Sequence, residues 1–246
     1  MKKWAYFMMT SFTASGFAQE LIEPATTMNT GEFQAQIAVI YTENSEFRFR
    51  ESVLTYNNTL LLYGIFPHME LRLGIDVNSS ETTDGGARIG DRTSGTTPLQ
   101  IGAKYRFFQQ TESTPEISVM SHVFLPLTAS SDNKPNYTGY DLWVLGLHQI
   151  NDQHAVRVNI GAATGGDSRG ILPLYILAHN WLPFGKWGLN TEVYGEFPSN
   201  ESSKHFFDVG ISYFFRPTVQ LDLNAGRGIN NNQSILASMR LTYTII

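Results

Sequence analysis

The chain has 246 residues, no cysteine, and 17 basic against 22 acidic residues, for a formal net charge of −5. Without cysteine it can carry neither a disulfide framework nor a thiolate metal site, and a mildly acidic balance with no basic cluster leaves no nucleic-acid footprint. Charged residues make up 16% and mean hydropathy is −0.17, yet aromatics reach 13% and glycine 21 positions, a mixture that fits strands with aromatic girdles and tight curvature.

At the N-terminus Lys2 and Lys3 precede the mostly apolar run Trp4 to Met9, and Gly16 and Ala18 are small where a signal peptidase reads. Residues 1–18 are therefore expected to be a secretory signal cut after Ala18, with 19–246 as one mature domain. That run is shorter than the ~20 apolar residues a spanning helix needs, and no later run reaches that length. Transmembrane strands of ~9 to 11 alternating residues average out in a long hydropathy window, so a membrane protein remains open.

Period-2 segments follow near 32–42, 47–63, 69–78, 97–108, 116–127, 140–150, 154–163, 172–182, 187–197, 205–215, 219–226 and 234–245. Five connectors read as tight turns (64–68, 109–115, 151–153, 183–186 and 216–218). Others read as longer polar loops, among them 79–96, 128–139 and 165–170. Tight turns on one rim and long loops on the other predict an all-β, antiparallel up-and-down transmembrane β-barrel of about 12 strands, with both termini at the periplasmic rim.

The hairpin 205–226 shows the two walls most plainly. Phe207, Val209, Ile211, Tyr213 and Phe215 share one parity and Asp208, Gly210, Ser212 and Phe214 the other; Val219, Leu221, Leu223 and Ala225 then alternate with Gln220, Asp222, Asn224 and Gly226. The same separation sets Glu70, Arg72 and Asp76 against Leu71, Leu73 and Ile75. It sets Lys104 and Arg106 against Ile101, Ala103 and Tyr105; Arg157 against Val156 and Val158; Glu192 and Glu196 against Leu189 and Val193; and Arg240 against Met239 and Leu241. A lipid-facing Arg or Lys near the midplane costs ~2–4 kcal/mol, so the charged parity is expected to face a bore. Asp141, sharing parity with Trp143 and Leu145, reads as an exception at a loop edge, and Asn58 among Leu54, Tyr56, Leu60 and Leu62 has no explanation at this level. Aromatics gather near strand ends, with Tyr63, Phe66, Phe107, Phe108, Trp181, Phe184, Trp187, Phe214 and Phe215 on the turn side and Tyr41, Phe47, Tyr140, Trp143, Phe197 and Phe207 toward the loops, as at membrane interfaces. A soluble exported sandwich is the alternative that alternation alone does not remove.

The candidate site is accordingly the bore, with Glu70, Arg72, Lys104, Arg106, Arg157, Glu192, Glu196, Asp208, Asp222 and Arg240 as a mixed-sign filter that admits polar solutes and discourages simple ions. No catalytic, metal or cofactor site is expected. His122, His148, His154 and His179 fall on four strands without metal-ligand spacing, no motif sets a base beside a nucleophile, and 161–166 and 226–228 lack the Lys-Ser/Thr and helix of a phosphate loop. Glu192 and Glu196 are expected to pair across the bore with Arg157, Arg240 or Arg106.

The stretches LLLYGIFPHMELRLG (60–74), PLQIGAKYRFF (98–108), PEISVMSHVFLPL (115–127), VRVNIGAATG (156–165), LNTEVYGEF (189–197) and FDVGISYFFRPTVQLDLNAGRGIN (207–230) resemble, in order, the outer-membrane transporters described as "Putative MetA-pathway of phenol degradation". The resemblance implies a Gram-negative outer-membrane barrel that passes small molecules, aromatic ones among the candidates. Its partners would be outer-membrane lipids, a small-molecule solute and the barrel-assembly machinery. Two departures stand out: Leu62 where the family often carries a basic residue before Tyr-Gly, and an end at Tyr243-Thr244-Ile245-Ile246 without the usual terminal aromatic. A closed barrel that binds a surface through its loops, and an outer-membrane lipolytic enzyme, are the rival readings.

Overall fold

The computed structural model describes residues 22–245; the expected signal at 1–18, with Ala18, lies outside the described residues. The strands are β1 (Phe33–Glu46), β2 (Phe49–Phe66), β3 (Met69–Asp84), β4 (Ala87–Thr96), β5 (Leu99–Phe108), β6 (Glu116–Leu125), β7 (Tyr137–Gln149), β8 (His154–Gly166), β9 (Ser168–Phe184), β10 (Trp187–Glu196), β11 (Lys204–Arg216), β12 (Val219–Gly228) and β13 (Gln233–Ile245). Every neighbour pairs antiparallel in sequence order, and β1 pairs with both β2 and β13, so the sheet closes on itself. β4 and β5 are two halves of one wall strand broken at Thr97-Pro98, and β3 pairs with β4 toward one rim and with β5 toward the other. The result is a closed twelve-stranded antiparallel barrel. Closure matters because it leaves no unpaired edge in the wall, the condition a sheet must meet in hydrocarbon.

Among the described residues no helix is long and apolar enough to cross a membrane. The strands supply the apolar belt instead. Ile37, Met239, Leu241, Leu223, Val209, Leu177, Ile160 and Val144 all stand exposed on the outer wall, and Tyr63, Phe66, Phe108, Phe184 and Trp187 ring it at the turn end. Their inward neighbours are buried: Arg72 is 2% exposed and Lys104 1%, while outward Ile160 is 60% exposed.

Several sequence expectations change. Segment 79–96 is not a loop: β3 continues to Asp84, turns at Gly85-Gly86 with φ of 58° and 89°, and returns as β4. Segment 165–170 is likewise a tight hairpin, with Gly165 paired to Ser168. Asp141 is no exception, because Trp143 and Leu145 also point inward while Tyr140, Leu142 and Val144 form the outer face of β7. Trp143 therefore belongs to the bore and not to an aromatic girdle. Asn58 faces inward too, and its Nδ2 donates to Asp76 Oδ1 at 2.8 Å; a bulge at Thr55/Asn57 shifts the parity of the residues before it. Leu62 lies inward and pairs with Arg72 in the β2–β3 ladder.

Candidate functional site

All ten residues expected to line the bore sit on the inward parity of their strands. Glu70, Arg72, Lys104, Glu192, Glu196, Asp208 and Asp222 are buried, and Arg106, Arg157 and Arg240 are half-buried.

One row of side chains crosses four strands. Arg72, Gly102, His122 and Asp141 are successive ladder partners on β3, β5, β6 and β7. Because Gly102 has no side chain, Arg72 Nε reaches over it and donates to His122 Nε2 at 3.0 Å; a Cβ built at Gly102 would overlap the His122 ring. A guanidinium only donates, so His122 Nε2 accepts and the ring proton lies on Nδ1, which faces both Asp141 oxygens at 3.0 Å. Two residues nearer the short-turn rim, Glu70 Oε1 takes Arg72 Nη1 at 2.7 Å and Lys104 Nζ at 3.1 Å.

The fourth member of this cluster comes from outside the strands. Residues 22–32 run into the bore, and Glu23 accepts from Arg72 Nη2 at 2.7 Å with Lys104 Nζ at 3.7 Å. Three successive carbonyls of the segment accept from the wall: Glu23 from Asn159 Nδ2 at 3.1 Å, Pro24 from Lys104 Nζ at 3.2 Å, and Ala25 from the Ser118 hydroxyl. Ile22 N–H donates to Glu192 Oε2 at 3.3 Å and Met28 N–H to Glu70 Oε2 at 2.9 Å. At the rim Gly31 N–H donates to the Gly64 carbonyl at 2.8 Å. A Cβ on Gly64 would overlap the Asn29 carbonyl, so that glycine leaves the opening through which the segment enters.

Sequence reasoning placed the N-terminus at the periplasmic rim and missed this segment. The signal was Ile22 and Met28 around Pro24, apolar residues in a stretch that a proline keeps out of a sheet interior. Such residues need burial, and here the bore provides it.

The wall that receives Ile22 and Ala25 is apolar. Met120, Trp143, Leu145, Leu174, Ile176, Ala178, Tyr194 and Phe206 form one cluster with them, and the Tyr194 and Phe206 rings stack at 5.0 Å with planes 10° apart. The bore is thus divided, apolar along β6 to β11 at this level and charged elsewhere.

The expected cross-bore pairs are not formed. Glu196 instead meets Lys204 at 3.4 Å, Arg106 meets Glu116 at 3.6 Å and His68 Nδ1 at 2.8 Å, and Glu192 takes Asn190 Nδ2 and the Ile22 amide. Among the described residues neither Arg157 nor Arg240 makes an ion pair, and the Nε of each is buried without a hydrogen-bond partner. Of the four histidines, His122 lies in the bore, whereas His154 and His179 on neighbouring strands come together on the outer wall, with ring centroids 5.2 Å apart and His154 Nδ1 3.0 Å from His179 Nε2. No cluster of three or more metal-ligating residues occurs among the described residues.

The family model described as "Putative MetA-pathway of phenol degradation" matches residues 14–235. Among solved structures the chain is similar to the COG4313 outer membrane channel from Pseudomonas putida F1, with a TM-score of 0.73 and 13% identity over 92% of this chain and 100% of that one. It is also similar to the KdgM porin (TM-score 0.57, 10% identity, 87% and 99% covered). A third is the transport unit of the autotransporter AIDA-I from Escherichia coli (0.56, 9%, 91% and 93%). At these identities the likeness is one of fold. No curated protein matches the sequence.

Proposed function

This chain belongs to the family described as "Putative MetA-pathway of phenol degradation", and on that premise we propose that it is an outer-membrane channel for a small solute, conducting through its bore without a chemical step. The observation that carries this is the division of the wall: apolar side chains outside, where acyl chains would lie, and the ionisable side chains from Glu70 to Arg240 inside, where a solute would pass. The printed names of the two porin-like structures, channel and porin, agree with it. Export to the outer membrane of a Gram-negative cell, insertion by the barrel-assembly machinery and contact with its lipids belong to the same proposal.

Conduction requires the 22–32 segment to shift, because Ile22, Glu23 and Ala25 are buried in the middle of the bore. The mixed-sign set from Glu70 to Arg240 then acts as the filter, with Arg72 and Lys104 on β3 and β5 facing the carboxylates of β10 to β12. Opposite charges across a narrow bore orient polar solutes and hinder a bare ion of either sign.

The absence of cysteine makes the test clean. Ala25→Cys with Ser118→Cys, whose native groups are hydrogen-bonded, should crosslink the segment to β6. Reconstituted in planar bilayers, the oxidised protein should be silent and the reduced protein should conduct. Equal conductance in both states refutes gating by this segment. Silence in both favours the rival reading, a closed barrel that binds through its loops, which the filled bore already makes a specific alternative. The lipolytic reading makes a separate prediction, loss of esterase activity when a serine hydrogen-bonded to histidine at the outer leaflet becomes alanine.

A further inference from the structure

Two histidines 25 residues apart in the sequence meet on the outer wall. His154 opens β8, directly after the short turn 151–153, and His179 stands on β9. The ladder pairs His154 with Trp181 and Val156 with His179, so the two histidines are diagonal neighbours on one face, a separation that long side chains can bridge. His179 is exposed and His154 is half-buried. Trp181 stacks on the His154 ring, with centroids 6.0 Å apart and planes 5° apart, and the His179 ring lies nearly parallel to it, with planes 12° apart. His154 Nδ1 thereby faces His179 Nε2 at 3.0 Å.

We infer that His154 and His179 form a two-donor site for a divalent transition-metal ion, copper(II) ahead of nickel and zinc, on the outer wall near the short-turn rim. The site lies outside the bore and does not depend on the channel reading.

Three features support it. The first is the separation of the donors. An imidazole nitrogen bonds such an ion at ~2.0–2.1 Å, so two of them on one ion lie about 2.9 Å apart at a right angle and about 3.4 Å apart at a tetrahedral one. The 3.0 Å between Nδ1 and Nε2 falls inside that range, so neither strand has to move. The second is preorganisation. β8 and β9 are paired with each other and held on their far sides by β7 and β10, and Trp181 backs the His154 ring, so little is left to order on binding. The third is access. His179 is open to the surroundings, and Asn151, Asp152 and Gln153 of the adjoining turn are exposed, so an ion reaches the pair from water.

Among the described residues no third ligand joins the two, so water or another ligand from solution fills the remaining positions. Imidazole donors suit copper, nickel and zinc, and for a given site copper(II) binds most tightly of the three. In the metal-free pair one ring donates a proton to the other. When both nitrogens bind an ion, the donating ring carries its proton on its other nitrogen, so a neutral pair changes tautomer and releases no proton.

A hydrogen bond alone would give the same contact, and the two readings part on metal binding. Copper(II) is titrated calorimetrically into the full-length protein, purified in detergent without a polyhistidine tag and in a buffer that does not chelate. Wild type should bind one ion saturably, and the electron paramagnetic resonance spectrum of the complex should show coupling to two imidazole nitrogens. His154→Ala and His179→Ala should each weaken binding at least about tenfold, since each removes one of two linked donors. His148→Ala, on β7 and ladder-paired with Val156, should bind as wild type does. The wild-type spectrum needs no variant, which covers a failure of either substitution to fold. The inference is overturned if wild type does not bind, if the spectrum lacks coupling to two nitrogens, if His154 or His179 is removed without loss, or if His148→Ala loses as much.

Discussion

Adjacent residues at the middle of β13 offer a direct measurement of which wall meets lipid. Met239 is 50% exposed on the outer face, between Val39 of β1 and Leu223 of β12, and those flanking side chains offer a cation no acceptor. Ser238, one residue away at nearly the same depth, points inward toward Asn224. Met239→Arg places a guanidinium among acyl chains near the midplane, at a cost of ~2–4 kcal/mol, or roughly 30-fold to 10³-fold in the folded-to-unfolded ratio. Ser238→Arg puts the same group in a bore that holds Glu192, Asp208 and Asp222, and should cost distinctly less. Both variants are refolded into lipid vesicles and titrated with urea, with the native barrel followed by its heat-modifiable mobility in electrophoresis. If Met239→Arg is no less stable than Ser238→Arg, the outer wall does not face hydrocarbon and the membrane reading fails with it.

Among the described residues Arg157 and Arg240 make no ion pair, so Arg157→Ala and Arg240→Ala remove positive charge from the bore without breaking one, and each should move the reversal potential in a salt gradient toward cation selectivity; unchanged potentials in both would take these residues out of the filter. Arg106→Ala and Asp222→Ala, near the short-turn rim on β5 and on β12, should each alter the ranking of solutes in liposome swelling, and an unaltered ranking counts against the ten-residue filter. Gly64→Val should displace the segment at its entry beside Asn29, raising conductance while leaving urea stability within about 1 kcal/mol; a silent or unfolded variant refutes the entry point. Gly102→Ala should push His122 off Arg72 and change the chemical shift of its ring nitrogens by NMR, and an unmoved ring would show that the row across β3 to β7 does not depend on that glycine.

Much of this barrel was legible because two different surroundings act on the two faces of each strand. In the middle of β11 and β12, where outward Val209, Ile211 and Leu223 alternate with inward Asp208, Ser212 and Asp222, the contrast is sharp and the facing can be read directly, even though Phe206 at the start of β11 is also inward. It fails wherever both faces see similar surroundings. On β7, Leu142 and Val144 point outward while Trp143 and Leu145 point inward against Ile22 and Ala25, so both parities are apolar and Asp141 looked misplaced. At the opposite extreme, the ends of β3 and β4 project past the rim: β3 has 16 residues where ~9 to 11 span the bilayer, and its outer part is Ser, Thr, Glu and Asp on both faces. A sheet in water on both sides has no period-2 signal, and its composition is that of a loop. The hairpin turn Gly85-Gly86 was the remaining clue, since glycine at positive φ suits a tight turn.

The inward charges were legible as a set, but their pairing was not, because alternation fixes a face and says nothing about what stands opposite. Arg72 and Lys104 were expected to belong to a filter balanced across the bore, yet on the wall itself they share one carboxylate, Glu70. Glu23 adds a second, and it comes from a segment with no strand period. Arg72 and Lys104 are thus held from two directions, by Glu70 of the wall and by Glu23 of the segment, so the charges that seat the segment lie on two of the side chains expected to filter a solute. Occlusion and selectivity therefore act on one cluster, because a solute that meets this pair must do so where the Glu23 carboxylate now sits.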